Sequence, residues 1–242
     1  MGRYSYWPKY VPVAERRRQA QERAQRQIKK GQTLKPVVIN GSRIASTFWG
    51  RGWCEQMESF HDYFNRLRRG RSYVRHGCVV DLQIEPGSIK ARVSGSRLYK
   101  VEVRIKTLDG MRWKKLVDGC AGKIDSLIEL LQGRLSHKIL EILAHRTEGM
   151  FPTSKQISFE CDCPDWAVMC KHVAATLYGV GVRLDQEPDL LFTLRRVRQE
   201  DLLSAGTRMD ALSVKSKTGK PRARLKEADL SRLFGVDLVQ RV

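Results

Sequence analysis

Three cysteines and one histidine lie within twelve residues of this chain, at Cys161, Cys163, Cys170 and His172. Their spacing is C-x-C-x6-C-x-H, and three thiolates with one imidazole are a ligand set that closes a tetrahedral zinc site. We see no further ligand or open coordination position beside them. The sequence therefore predicts one structural Zn²⁺, and the local fold must bring all four side chains together.

The residues before the second ligand predict a strand. Ile157, Phe159 and Cys161 alternate with polar residues, and residues two apart in a strand face the same way. Cys161 and Cys163 can therefore point at one metal. A Pro-Asp pair then turns the chain, and we expect Trp166 to pack over the site.

The residues after the turn predict a helix over 171–182 that ends at Gly179 or Gly181. Cys170 and His172 lie at its start. The positive end of a helix dipole favours a thiolate over a thiol. A strand, a turn and a helix, joined by the metal, are the local structure that we expect.

Two other interpretations use fewer of the four residues. Cys161 and Cys170 could form a disulfide, or the C-x-C pair could be a redox site. The chain shows no signal peptide, so we expect a cytoplasmic protein, in which disulfides are rare. The second pair, C-x-H, argues against the redox interpretation. The remaining cysteines, far apart in apolar segments, are predicted to be buried thiols: Cys54, Cys78 and Cys120.

The string CPDW after the first ligand pair and CKHVAA at the second resemble the SWIM-type zinc finger, named after Swi/Snf ATPases and Mutator-class transposases. Other strings resemble bacterial SWIM zinc-finger proteins, so that the resemblance covers about residues 43–198: TFWGRGWCEQME, RRGRSYVRHGCVVDLQIEPGSIKARVSGSR, YKVEVRIKTL and DQEPDLLFTLR. The resemblance implies binding to DNA or to proteins and association with a Swi/Snf-type helicase ATPase, and it implies no catalytic residue. Met169 departs from the polar residue or proline frequent in that family.

The charge of the chain predicts a polyanionic partner. It has 45 Lys and Arg against 26 Asp and Glu, a net charge of +19, and a pI near 10.0. That balance excludes a typical neutral metabolic enzyme and favours DNA or RNA over a membrane surface, and no apolar run is long enough to span a bilayer. Residues 1–43 hold eleven basic and two acidic residues, whereas 117–193 hold seven basic and eleven acidic ones. We therefore expect the finger to be a structural module or a protein-docking face, not the main phosphate-binding surface.

The N-terminal arm, residues 1–43, contains a basic helical pattern with a poor apolar stripe. It can be a solvated, partly disordered arm, or an arm that becomes ordered on contact with nucleic acid. The candidate phosphate-binding residues of this arm are Arg16, Arg17, Arg18, Arg23 and Arg26.

Residues 44–155 predict an α+β domain: one helix from 48 to a closing Gly70, a three-stranded antiparallel meander, and helices within 111–147. Further candidate phosphate-binding residues follow the first helix or lie on the outer face of the meander: Arg68, Arg69, Arg71, Arg75, Lys90, Arg92, Lys100, Arg104 and Lys106. Exposed strands also carry such residues for solubility alone. We place the finger and its following helix at 156–198, and a basic linker with a short C-terminal helix at 199–242.

The sequence contains no phosphate-binding loop, dinucleotide fingerprint or nucleophile elbow, so we predict that the chain is not an enzyme. The leading hypothesis is a zinc-binding, nucleic-acid-binding accessory protein, with DNA favoured over RNA. One alternative is an adaptor that docks a Swi/Snf-type ATPase through the finger and the LFGVDL segment at 233–238. Another is an RNA-associated or ribosome-associated protein.

Overall fold

The computed structural model describes residues 11–39, 41–60, 64–124 and 126–203. The first ten residues, the predicted basic linker over 213–226, and the predicted terminal helix with its LFGVDL segment lie outside the described residues.

The described residues form a mixed α+β fold, as predicted. The helices are α1 Val13–Lys29, α2 Phe48–Glu58, α3 Phe64–Arg75, α4 Gly110–Cys120, α5 Leu127–Gln132, α6 His137–Ala144, α7 Lys171–Gln186 and α8 Leu190–Arg195. The strands are β1 Val79–Glu85, β2 Ser88–Ser94, β3 Leu98–Ile105 and β4 Ile157–Cys161.

The strands form one antiparallel sheet of four strands in the order β1-β2-β3-β4. Along one row, Leu82 pairs with Ala91, Ala91 with Val101, and Val101 with Cys161. The strand that carries the first ligand is thus part of the sheet, and the sheet crosses the predicted boundary between residues 155 and 156. One candidate ligand is thereby fixed by strand pairing.

Helix α1 is seated on the turn between β2 and β3. Ala20, which is 1% exposed, is its buried apolar residue. The Arg23 guanidinium donates to Ser94 Oγ at 2.6 Å and to the Ser96 carbonyl oxygen at 2.9 Å. Residues 13–29 of the predicted N-terminal arm are therefore an ordered helix held mainly by polar contacts.

The region predicted as one helix over 48–70 contains two helices. Helix α2 ends at Glu58, and α3 begins at Phe64 and continues through Gly70 to Arg75. The prediction that Gly70 closes the helix is wrong. Glycine is needed there because a β-carbon on Gly70 would lie 2.5 Å from Ala174 Cβ on α7.

The prediction that α7 ends at Gly179 or Gly181 is also wrong, because the helix runs to Gln186. As at Gly70, these glycines allow close packing. A β-carbon on Gly179 would lie 3.2 Å from Val37 Cγ2, and one on Gly181 would collide with Cys54 Sγ. These glycines let α7 lie close to the sheet and to α2. Trp53 Nε1 also donates to the Leu177 carbonyl oxygen at 2.8 Å. Helix α7 is therefore the central, nearly fully buried helix of the described fold.

We predict that Gly70→Ala destabilises the protein by about 1–3 kcal/mol, the usual cost of overpacking. Gly119 in α4 is the matched control, because a β-carbon there would meet only Ile142 at ordinary distance, 3.7 Å. Gly119→Ala should stabilise by up to about 1 kcal/mol through helix propensity. Urea unfolding measures both changes, and equal effects of the two substitutions would contradict the packing argument.

Candidate metal centre

The four predicted ligands converge where β4 leads into α7. Cys161 ends β4, Cys170 is the N-cap of α7, and His172 is in its first turn. The candidate ligand atoms all lie within 4.8 Å of one another. His172 Nδ1 lies 3.9 Å from Cys161 Sγ and 3.8 Å from Cys170 Sγ. Metal–sulfur bonds of about 2.3 Å place tetrahedral ligands roughly 3.7 Å apart. The donor set and its spacing could therefore hold a metal ion.

Backbone amides support each sulfur. The amide of Cys163 donates to Cys161 Sγ, that of Asp165 to Cys163 Sγ, and that of Val173 to Cys170 Sγ at 3.5 Å. Hydrogen bonds from N–H groups favour a thiolate over a thiol. The local backbone is thus arranged for negatively charged sulfur ligands.

A hydrogen bond with the Cys161 thiol lowers the pKa of Cys170, and hydrogen bonds with His172 and the Val173 amide lower it further. The same hydrogen bond, together with burial, raises the pKa of Cys161.

The other three cysteines confirm the prediction of buried thiols. Burial raises the pKa of Cys54 to about 12 and that of Cys78 and Cys120 to about 11. These three groups stay protonated and unreactive at neutral pH.

Aromatic packing orients the His172 ring. The imidazole is 2% exposed and stacks on Tyr99, with ring centroids 4.2 Å apart, while Tyr73 meets it edge-on at 5.6 Å. The buried Nε2 has no hydrogen-bond partner in the described residues and faces Gly95, where a β-carbon would lie only 2.9 Å away. Nδ1 is thereby left as the atom that faces the sulfurs.

Sequence reasoning missed this aromatic support. Tyr73 lies on α3, Gly95 follows β2 and Tyr99 lies on β3, and none of the three was predicted to contact a candidate ligand. No local pattern signals that these residues share a contact with His172. Their function depends on tertiary packing alone.

The acidic residues near the ligands are paired with arginines. Asp165 Oδ1 accepts from Arg66 Nη2 at 3.1 Å, and Asp162 Oδ2 accepts from Arg97 Nη1 at 3.1 Å. Asp162 Oδ1 also accepts from the Lys100 amide at 2.9 Å. These carboxylates hold the ligand turn, residues 162–169, against α3 and the sheet.

The expectation that Trp166 packs over the site is wrong. Trp166 is 92% exposed, and Met169 is the residue of the ligand turn that is fully buried. The short turn reaches the core through Met169, the residue that departs from the SWIM-type pattern. The tryptophan ring therefore faces solvent.

The predicted cations of the sheet are largely paired with carboxylates. The pairs are Lys90 with Glu85 at 2.8 Å, Arg104 with Glu102 at 2.9 Å and with Glu160 at 2.8 Å, and Arg92 with Asp81 at 4.0 Å. Lys100 and Lys106 are exposed. Most of the opposing acids come from β1 and β4, which alternation within β2 and β3 does not reveal.

The predicted cations of the helices fall into two groups. Four make contacts within the protein: Arg16 with the Tyr73 ring, Arg18 with Glu15 and Glu22, Arg23 with the β2–β3 turn, and Arg71 with Glu58 and Tyr178. The others are exposed and have no carboxylate within ion-pair distance among the described residues: Arg17, Arg26, Arg68, Arg69 and Arg75.

Four of these unpaired arginines, Arg17, Arg68, Arg69 and Arg75, are here called the arginine surface. Arg17 Nη2 donates to the Arg75 carbonyl oxygen at 3.4 Å, which brings α1 to the end of α3. Burial lowers the pKa of the nearby His76, and Arg16, Arg17 and Arg75 lower it further. The potential at this end of α3 is therefore positive.

The chain is similar to the uncharacterized protein Rv2102 of Mycobacterium tuberculosis, with 35% identity over 164 residues. The match covers 66% of this chain and 59% of that protein, so the chain spans less than two thirds of its relative. No protein-family model and no solved structure matches the sequence. In the part of the chain that the structure describes, no helix is long and apolar enough to cross a membrane.

We predict that Gly95→Ala weakens metal binding about 10- to 100-fold, the range found when a residue that contacts a metal ligand is substituted. The added methyl group would lie 2.9 Å from His172 Nε2 and 2.8 Å from the Tyr99 ring, so the imidazole must shift. Gly110→Ala is the control, because no atom lies within 4 Å of a β-carbon there. Competition with a colorimetric chelator measures the affinity, and unchanged retention in Gly95→Ala would contradict this role.

Proposed function

We propose that the Cys161, Cys163, Cys170 and His172 cluster binds one Zn²⁺ and forms a SWIM-type zinc finger. The observation that carries the proposal is the convergence of three sulfurs and His172 Nδ1 at the β4–α7 junction. In this proposal β1–β3 are the meander, and β4, the ligand turn and α7 are the finger joined to it.

Zinc in this site would be structural. Four protein ligands fill a tetrahedral shell and leave no position for water or substrate, and the ion would supply cross-linking only. The chain is therefore proposed to be non-enzymatic. Its thiolate ligands suit the cytoplasm, where thiols stay reduced, and that localisation is part of the proposal.

We predict one zinc ion per chain by elemental analysis. Cys170→Ser should bring the zinc content close to zero, because a hydroxyl is a poor ligand for zinc, whereas Cys120→Ala should keep it. Chelation of the wild-type protein should lower its melting temperature, since binding and local folding are coupled. A wild-type protein without zinc, or full zinc content in Cys170→Ser, would refute the assignment.

We further propose that the protein binds nucleic acid, DNA in preference to RNA, through its arginine surface. The net charge of +19 and the four exposed arginines, which have no carboxylate partner in the described part of the chain, support this proposal. The sheet cations contribute less, because a cation already paired with a carboxylate gains less from a phosphate. Binding through phosphates has little sequence preference and weakens steeply with salt.

We predict that Arg68→Ala with Arg69→Ala weakens binding to duplex DNA and reduces the slope of log affinity against log salt by about one to two. Lys90→Ala with Arg104→Ala removes the same charge from the paired sheet face and should change the slope little. Fluorescence anisotropy over a salt series measures both. Equal losses in the two double variants would place the contact elsewhere, and a wild-type protein that does not bind at low salt would refute the function.

An adaptor for a Swi/Snf-type ATPase is the second candidate function. The observation that favours it is the exposed apolar pair on the ligand turn, Trp166 and Val168. Repeated co-purification from native cells without such an ATPase would count against the adaptor function. Competition between RNA and DNA for the purified protein would separate the RNA-associated alternative.

A further inference from the structure

Trp166 is exposed in a way that core packing does not explain. The ring is 92% exposed, whereas Trp49 and Trp53 are fully buried. Val168, on the same turn, is 65% exposed. Leaving a ring of this size in water forgoes the free energy that its burial would provide. The exposed ring is therefore a candidate contact for a partner.

The turn that carries Trp166 is held in place on both sides. It lies between the candidate ligands Cys163 and Cys170. Asp165, next to the tryptophan, bonds both terminal nitrogens of Arg66 on α3 at 3.1 Å and accepts from the Ala167 amide at 3.3 Å. A partner that binds the ring thus meets a preorganised turn, which reduces the entropy lost on binding.

The surface next to this turn is polar and basic. A groove of about 710 Å³ runs along α3 and is lined by Asn65, Arg66, Arg68, Arg69 and Ser72. Lys171 Nζ lies 5.7 Å from the centre of the Tyr73 ring, and Tyr73 lies one helical turn beyond Arg69 on α3. Among the described residues, the lining of this groove offers no apolar side chain to an apolar protein segment. A chain of phosphates would find two arginines without carboxylate partners in the described residues.

We propose that Trp166 stacks on an unpaired base of a single-stranded nucleic acid whose phosphates lie along Arg68 and Arg69. Proteins that bind single strands combine a positive groove with exposed aromatic rings, because every base offers a flat face for stacking. Bases inside a duplex are already stacked on each other, so the ring selects single strands. This inference rests on the proposed nucleic-acid binding and specifies its partner.

The test compares binding of an oligothymidylate of about twelve nucleotides, a typical site length, with a duplex of equal length. Trp166→Ala should weaken single-strand binding about tenfold or more and leave duplex binding unchanged, and Trp166→Phe should lose less. Single strands should quench tryptophan emission in the wild type and much less in Trp166→Phe. Ile128→Ala, which removes another exposed apolar side chain, is the control and should bind as the wild type does.

Three results would overturn the inference while the proposed function stands: unchanged single-strand affinity in Trp166→Ala, equal losses for single strands and duplex, or loss of a co-purifying protein without loss of single-strand binding. In each case the wild type still binds duplex with the salt dependence set by Arg68 and Arg69. A wild type that binds neither nucleic acid refutes both proposals. Zinc content and melting temperature of each variant show that the fold is retained.

Discussion

The close approach of α7 to its neighbours is the constraint on which the rest of the described structure depends. Gly70 on α3 and Gly181 on α7 lie where any side chain would collide with the facing helix, and Gly179 lies against the sheet edge. Small residues at such contacts let helix backbones approach more closely than side-chain packing allows. Helix α7 is consequently buried almost all round, and its first turn, with Cys170 and His172, is fixed relative to β3.

The candidate metal centre lies between two elements that the rest of the fold holds in place to different degrees. Cys170 and His172 lie at the start of a helix in the core. Cys161 is the last residue of β4 and Cys163 follows it, and the residues of this five-residue strand are half-buried or exposed. Pairing with β3 is the main contact of β4. An ion bound by all four residues would tie this weak strand to the strongest helix, so metal binding and the order of the ligand turn would be one process.

The sequence was sufficient for features that depend on local period and spacing. The alternation of apolar and polar residues predicted β1–β3. The C-x-C and C-x-H pairs identified the clustered ligands, because local backbone geometry alone brings side chains two residues apart to the same side of a strand or of a helix start. The sequence was misleading where tertiary contacts determine the local structure. Glycine is common just after the end of a helix, but Gly70 and Gly181 lie inside helices and allow close helix–helix contact instead. The carboxylate neighbours of the sheet cations depend on strand register, and the exposure of Trp166 depends on how Met169 anchors the turn.

Net charge, likewise, is a weak guide to where a polyanion binds, because carboxylates neutralise cations selectively. The acidic residues near the candidate ligands are not free negative charges, since Asp165, Asp162 and Glu160 are each bonded to an arginine from α3, the β2–β3 turn or β3. Arg66 joins the ligand turn to the same helix that carries Arg68 and Arg69, two arginines without a carboxylate partner among the residues that the structure describes. A metal that orders the turn would therefore also set the position of Trp166 relative to α3, so that in the proposed function the zinc site and the nucleic-acid surface depend on one another.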